Sequence, residues 1–216
     1  MRVTIIGGHG KIALILAPKL VEAGHEVTSV VRNPDHVADV EATGATALVS
    51  SVEDDDTHAM ADLLSGQDAV VWSAGAGGGD PARTFAVDRD AAIRSMDAAQ
   101  TAGVGRYVMV SFSGADRASL VPEDNPFRAY QDAKIAADEH LRASGLDWTI
   151  LGPGSLTLEP GRGAVNPHAR SGEGDTTSRE LVAQVALAVL DDPRAHRKTL
   201  VFGDGDVHID DWLASL

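Results

Sequence analysis

Tyr130 and Lys134 stand four residues apart in Phe127-Arg128-Ala129-Tyr130-Gln131-Asp132-Ala133-Lys134-Ile135. On a helix that spacing puts both side chains on one face. A cation beside a phenol favours the phenolate and lowers its pKa, which is what a tyrosine needs to act as acid or base near neutral pH. The chain has only two tyrosines, Tyr107 and Tyr130, so coincidence is a less attractive account of the pair than it would be in a tyrosine-rich chain. Just upstream, Tyr107-Val108-Met109-Val110-Ser111-Phe112-Ser113-Gly114 reads as a strand that ends in serines. A hydroxyl there would hold a substrate oxygen.

A second constellation could hold phosphate. Gly8-His9-Gly10-Lys11-Ile12-Ala13 fits G-x-G-x-x-G/A, and Gly7, Gly10 and Ala13 fit the looser G-x-x-G-x-x-G/A. A glycine at a strand end allows the tight turn, and Gly10 removes the Cβ that would keep a pyrophosphate away. Ala13 lets the helix lie close to the strand, and the first-turn N–H groups then face the anion. The plainer alternative is a strand–helix turn with no ligand. The motif's placement after the first strand and before a helix favours a dinucleotide.

The next diagnostic position lies about 20 residues on, at the end of the second strand. An NAD enzyme usually carries Asp or Glu there, whereas this chain reads Val30-Val31-Arg32-Asn33-Pro34. Arg32 would meet a 2′-phosphate with a planar, permanently charged fork, with Lys11 as a second cation nearby. The expectation is therefore NADP(H) over NAD(H). Ser51 and Val52 would flank the adenine, and Ser73-Ala74-Gly75-Ala76 would let the cofactor cross the sheet edge.

Strand signals at Val3 to Ile6, Glu26 to Val31, Ala45 to Val49, Ala69 to Ser73, Arg106 to Ser111, Trp148 to Leu151 and Thr199 to Phe202 must position these residues. Helical patterns lie between them at Lys11 to Ala23, Thr57 to Leu64, Pro81 to Ala102, Arg128 to Ser144 and Ser178 to Leu190. Gly24, Gly66, Gly103 and Gly145 each follow a helix, as a helix-ending glycine should. The Val- and Ile-rich strands show little alternation and so read as buried on both faces. The result is an α/β doubly wound parallel sheet, a three-layer α/β/α Rossmann arrangement, expected as one domain over residues 1–216. A Gly-, Pro- and Ser-rich stretch at about 152–177 reads as a substrate loop.

Composition narrows the partners. With 216 residues and a formal net charge of -14, the protein would be repelled by nucleic acid and by anionic membranes. The chain has no cysteine, which removes disulfides and thiolate chemistry and suits a cytoplasmic location. Met1-Arg2 leads straight into a strand, so no signal peptide is read there. The eight histidines form no ligand-spaced cluster, and no metal site is expected. The partner expected is a small-molecule substrate, and the long patterns at Pro81 to Ala102 and Arg128 to Ser144 are candidates for a homodimer bundle.

Taken together, these motifs resemble an atypical short-chain dehydrogenase/reductase of the small NAD(P)H-binding type, NmrA-like or biliverdin-reductase-like. Nearly the whole chain carries the resemblance. It runs from Thr4 to Ala13, through Val31 to Pro34, Asp97 to Ser111 and Tyr130 to Lys134, to Leu141 to Gly154 and Ser178 to Ala183. It implies that Gly7, Gly10 and Ala13 carry the pyrophosphate, that Arg32 carries the 2′-phosphate, and that Tyr130 and Lys134 are the active pair. Ser113 matches the family serine, with Ser111 as the rival register. Pro153, Gly154 and Ser155, through Leu156, would flank the nicotinamide. Departures are Gly152 where Arg often precedes Pro-Gly, His9 where Thr or Ser is frequent, and the lack of the C-terminal substrate lobe of sugar-nucleotide epimerases. The implied activity is hydride transfer between NADP(H) and a small carbonyl, quinone or other unsaturated substrate. Alternatives are a redox sensor without turnover and a sugar-nucleotide epimerase or dehydratase. The acidic run Glu53 to Asp56 reads as a helix start, and Gly75 to Gly79 as a lid beside the cofactor.

Overall fold

The computed structural model describes residues 1–77, 80–169 and 175–216. The chain runs β1 (Arg2–Ile6), α1 (Lys11–Glu22), β2 (Glu26–Val31), α2 (Val37–Glu41), β3 (Thr46–Val49), α3 (Thr57–Leu63) and β4 (Ala69–Trp72). Next come α4 (Pro81–Thr84), a π-helical segment (Phe85–Ala91) and α5 (Ala92–Thr101), which together make one continuous rod. Then follow β5 (Arg106–Val110), α6 (Arg128–Ala143), β6 (Asp147–Pro153), β7 (Ser155–Thr157), β8 (Ala164–Asn166) and β9 (Thr176–Ser178). The last elements are α7 (Arg179–Leu190), β10 (Lys198–Asp204), β11 (Val207–His208) and α8 (Ile209–Ala214).

Seven parallel strands pair in the order β3-β2-β1-β4-β5-β6-β10, and β8 and β11 extend the β10 edge antiparallel. Chain order reverses between β1 and β4, which leaves a crevice beyond their carboxyl ends. One core lies between the sheet and α1 and α7, holding Ile12, Leu16, Leu20, Leu181, Val185 and Val189. The other lies against α3, α5 and α6, with Met60, Met96 and Leu141. The fold is therefore the three-layer Rossmann arrangement expected. β4 is buried at every residue, as its unbroken apolar run requires. β3 departs from that pattern because it is the sheet edge, and its Leu48 and Val49 are exposed.

Three of the four helix-ending glycines, Gly24, Gly66 and Gly103, have positive φ. Gly145 does not: α6 ends on an extended Ser144, and the Gly145 amide donates instead to Gln100 Oε1. Buried Arg106 ties β5 to α7 by donating to the carbonyls of Val189 and Leu190 and to Thr149 Oγ1. Burial lowers its pKa to about 10. The stretch after β6, expected as loop, carries β7, β8 and β9, and β7 and β9 pair as a small parallel sheet. Residues 170–174 of that stretch, and residues 78 and 79 of the expected lid, lie outside the described residues. No helix among the described residues is long and apolar enough to cross a membrane.

Candidate active site

Packing demands the first glycines of the turn. Gly7 has φ +88, and a Cβ on it would lie 2.6 Å from the Ala74 backbone. A Cβ on Gly8 would lie 2.6 Å from Ser29 Cβ. Gly10 is different: its Cβ would meet only the carbonyls of Gly7 and Ser73, at 3.1 and 3.6 Å. It is the N-cap of α1, and no side chain bonds to the first-turn amides. Those amides and the bare Gly10 backbone form a cradle that fits a pyrophosphate.

A cavity of about 360 Å³ lies over this turn. Gly7, Gly8, His9, Gly10, Arg32, Val52, Ala74 and Gly75, all named above as cofactor contacts, line it. Neither Lys11, which is exposed, nor Ser51, whose buried hydroxyl has no partner among the described residues, lines the cavity; Ser50 does. His9 bonds Asp39 at 2.8 Å and stacks on His36 with ring centroids 3.6 Å apart. Arg32 and Arg83 both donate to Glu53 Oε1, at 2.6 and 3.0 Å.

Ser73, Ala74 and Gly75 also line a larger cavity of about 750 Å³, so the two spaces meet above β4. Ile12, Ala76, Ser111, Tyr130 and Lys134 all face this second space. Phe127 and Leu156, both partly exposed, line it too. Tyr130 packs at 5.2 Å between centroids against both Phe112 and Phe127.

The expected depression of the Tyr130 pKa is not found. Burial pushes it well above its ordinary value, and the carboxylates of Asp88 and Asp138 push it further. The Lys134 ammonium is turned away, donating to the Val110 carbonyl at 3.0 Å with Met109 Sδ at 3.4 Å. Burial lowers the Lys134 pKa, opposed by the charges of Asp138 and Asp88. Those two carboxyls are themselves buried, which raises their pKa values, and Lys134 opposes that shift. Asp88 sits in the π-helical segment and accepts from the Ala76 amide at 3.0 Å. A π-helical turn inside a rod often marks a functional position. Asp138 accepts from Ser111 Oγ at 2.6 Å, while its other oxygen has no hydrogen-bond partner among the described residues.

Ser113 is not brought to Tyr130. It lines a separate cavity of about 390 Å³ with Arg117 and Glu139, and its amide donates to the Pro153 carbonyl. Strand alternation would put Ser111 and Ser113 on one face, but β5 ends at Val110, and beyond it the two serines face different spaces, with Ser111 the one beside Tyr130 and Lys134. Pro153 is buried within β6, and the Gly154 amide donates to Thr177 Oγ1 at 2.8 Å. Neither they nor Ser155 line either of the two spaces that meet above β4; Leu156 does. Sequence reasoning missed Asp88, Asp138, Glu53 and Arg83. Asp138 carried a signal, lying one helical turn beyond Lys134 on the same face. The acidic run holds two roles. Asp56 does start α3, accepting from the Ala59 amide at 2.8 Å, whereas Glu53 faces the cavity.

The profile of the NAD(P)H-binding family matches residues 7–193. The uncharacterized sugar epimerase YhfK of Bacillus subtilis is 34% identical, with 100% of each chain covered. A putative NAD-dependent epimerase/dehydratase from Bacillus halodurans superposes with a TM-score of 0.90 at 33% identity, covering 100% of both chains. The oxidoreductase ylbE from Lactococcus lactis gives a TM-score of 0.87 at 25% identity, covering 100% of this chain and 96% of its own. A glycine cradle at the sheet's switch point, a groove running across its carboxyl edge, and a family match from the first glycine of that turn onward lead to one statement: the chain belongs to the NAD(P)H-binding family.

Proposed function

We propose that the protein is an NADP(H)-dependent oxidoreductase that reduces a small, neutral carbonyl, quinone or other unsaturated compound. The observation that carries this reading is the continuity of the two cavities, with Tyr130, Lys134 and Ser111 at the far end from the glycine cradle. When bound, the reduced nicotinamide supplies hydride. Tyr130 gives its proton to the substrate oxygen. A tyrosine whose pKa is raised holds that proton through the physiological range, which suits reduction better than oxidation. Lys134 orients the nicotinamide ribose, and Ser111, in place of Ser113, polarises the substrate oxygen.

The lining argues for a neutral substrate. Lys134 is the one cation among the described residues facing the larger cavity, and it is engaged by the Val110 carbonyl. Asp80 and Asp88 face the same space. A sugar nucleotide would bring a diphosphate to walls that offer acid instead of guanidinium. One observation favours the sensor reading: the Tyr130 pKa moves away from neutrality. The test is NADPH oxidation against a panel of neutral quinones and aldehydes, with a nucleotide sugar as the contrast. Turnover of the neutral compounds supports the oxidoreductase. Tight NADPH binding without turnover, together with a conformational difference between the NADP+ and NADPH forms, would replace it with the sensor.

A further inference from the structure

Arg32 leaves the end of β2, and Arg83 reaches in from α4 on the other side of the groove. They meet on a single atom, Glu53 Oε1, 2.6 Å from Arg32 Nη1 and 3.0 Å from Arg83 Nη2. All three side chains line the cavity over the glycine turn. The arrangement is built. Arg83 Nη1 also donates to the Ala76 carbonyl, and the Ala76 amide donates to buried Asp88. The guanidinium is therefore aimed by Ala76 and Asp88, which line the larger cavity. One carboxylate between two guanidiniums leaves a positive charge uncompensated. An anionic oxygen gripped by two planar forks is what a phosphate presents.

We propose that Glu53 stands in, within the free protein, for the 2′-phosphate of NADP(H). The phosphate displaces the carboxylate, and Arg83 becomes the second arm of a clamp whose first arm is Arg32. NAD(H) carries a hydroxyl at that position, which donates to Glu53 and leaves the ion pairs standing. Glu53 thus sets the ratio of the two affinities, tightening NAD(H) and costing NADP(H) the work of displacement. The inference rests on the NADP(H) reading above and adds to it two residues of opposite effect.

The test uses the full chain and two adenosine fragments, 2′,5′-ADP and 5′-AMP, with binding followed by calorimetry and folding by thermal melts. Glu53→Gln is expected to tighten 2′,5′-ADP by about tenfold and to give no gain for 5′-AMP. Arg83→Ala is expected to weaken 2′,5′-ADP by about tenfold while 5′-AMP stays within about twofold. Arg83→Lys keeps the charge without the fork and is expected to fall between the wild type and the alanine variant. It carries the test with Glu53→Gln if Arg83→Ala fails to fold. Equal weakening of both fragments in the Arg83 variants would put Arg83 on the part they share and overturn the clamp. An unchanged ratio in Glu53→Gln would overturn the stand-in. Wild-type protein that binds neither fragment, NADPH nor NADH would overturn the dinucleotide reading itself, and the clamp with it.

Discussion

Ser111 Oγ donates to Asp138 Oδ2 at 2.6 Å, and this bond bridges two cavities, since Ser111 lines the one that holds Tyr130 and Asp138 lines the one that holds Ser113. The second Asp138 oxygen has no hydrogen-bond partner among the described residues, so the carboxyl depends on this serine. Ser111→Ala should therefore destabilise the fold by about 1–3 kcal/mol, the cost of leaving a buried acceptor unpaired. Denaturant unfolding reads it. A change below a few tenths of a kcal/mol would mean that the bond contributes nothing net.

Tyr130→Phe keeps the ring that packs on Phe112 and Phe127 and removes the proton. Turnover should fall by about 10²- to 10⁴-fold, the usual worth of a positioned acid. NADPH affinity should hold, because the hydroxyl lies at the substrate end of the groove. Turnover equal to wild type would remove Tyr130 from the chemistry.

Alkaline titration gives a test that needs no substrate. Tyr107 is fully buried and bonded to Ser95 Oγ at 2.7 Å, and burial raises its pKa, as it does for Tyr130. Both folded values lie above the ordinary 10.0. In that case the native state holds more protons than the unfolded state above pH 10. The stability these groups confer is complete below that pH and is lost as pH rises through the folded values. Tyrosinate absorbance should stay flat through pH 10 and then appear together with loss of helical circular dichroism. A native-state step of one tyrosine near pH 10 that disappears in Tyr130→Phe would show Tyr130 to be unshifted.

The glycines of the turn should separate cleanly. Gly7→Ala places a Cβ against the Ala74 backbone at positive φ, and should cost more than about 3 kcal/mol. Gly10→Ala sits at φ -64, an ordinary conformation, and should cost within about 1 kcal/mol. Its methyl group stands where a pyrophosphate approaches, so nucleotide affinity should drop at least about tenfold. Thermal melts and NADPH fluorescence titration distinguish the two. Equal loss of stability in both variants would mean that Gly10 serves the turn alone.

Much of this architecture could be read before any coordinates. β1, β2, β4 and β5 are short runs rich in Val and Ile, and local pattern is enough to place such strands. β7, β8, β9 and β11 escaped because two- or three-residue strands are made by pairing, not by their own sequence. At the site, Gly7, Gly10, Arg32, Tyr130 and Lys134 stood out because their chemistry depends on spacing along one element. Glu53, Arg83, Asp88 and Asp138 did not, because each acquires its meaning across the sheet from a residue distant in sequence. The choice between Ser111 and Ser113 turns on which side of the chain faces the groove beyond β5, which no spacing rule fixes. The pKa of Tyr130 followed the same logic. Helical spacing puts Lys134 on its face, but the carbonyl that draws the ammonium aside belongs to β5.

Helix α1, which presents the glycine cradle, packs its apolar side against α7. Leu16 and Leu20 are wholly excluded from solvent by a core that includes Leu181, Val185 and Val189. During synthesis the turn emerges first, yet the surface that steadies its helix is made some 160 residues later, taking the distance from Leu20 to Leu181 in the sequence. A nascent chain therefore carries the nucleotide-binding motif long before it can grip a nucleotide, with greasy residues bare on α1 in the meantime. That apolar stripe stays bare until α7 docks, so nucleotide binding waits on a helix far along the chain.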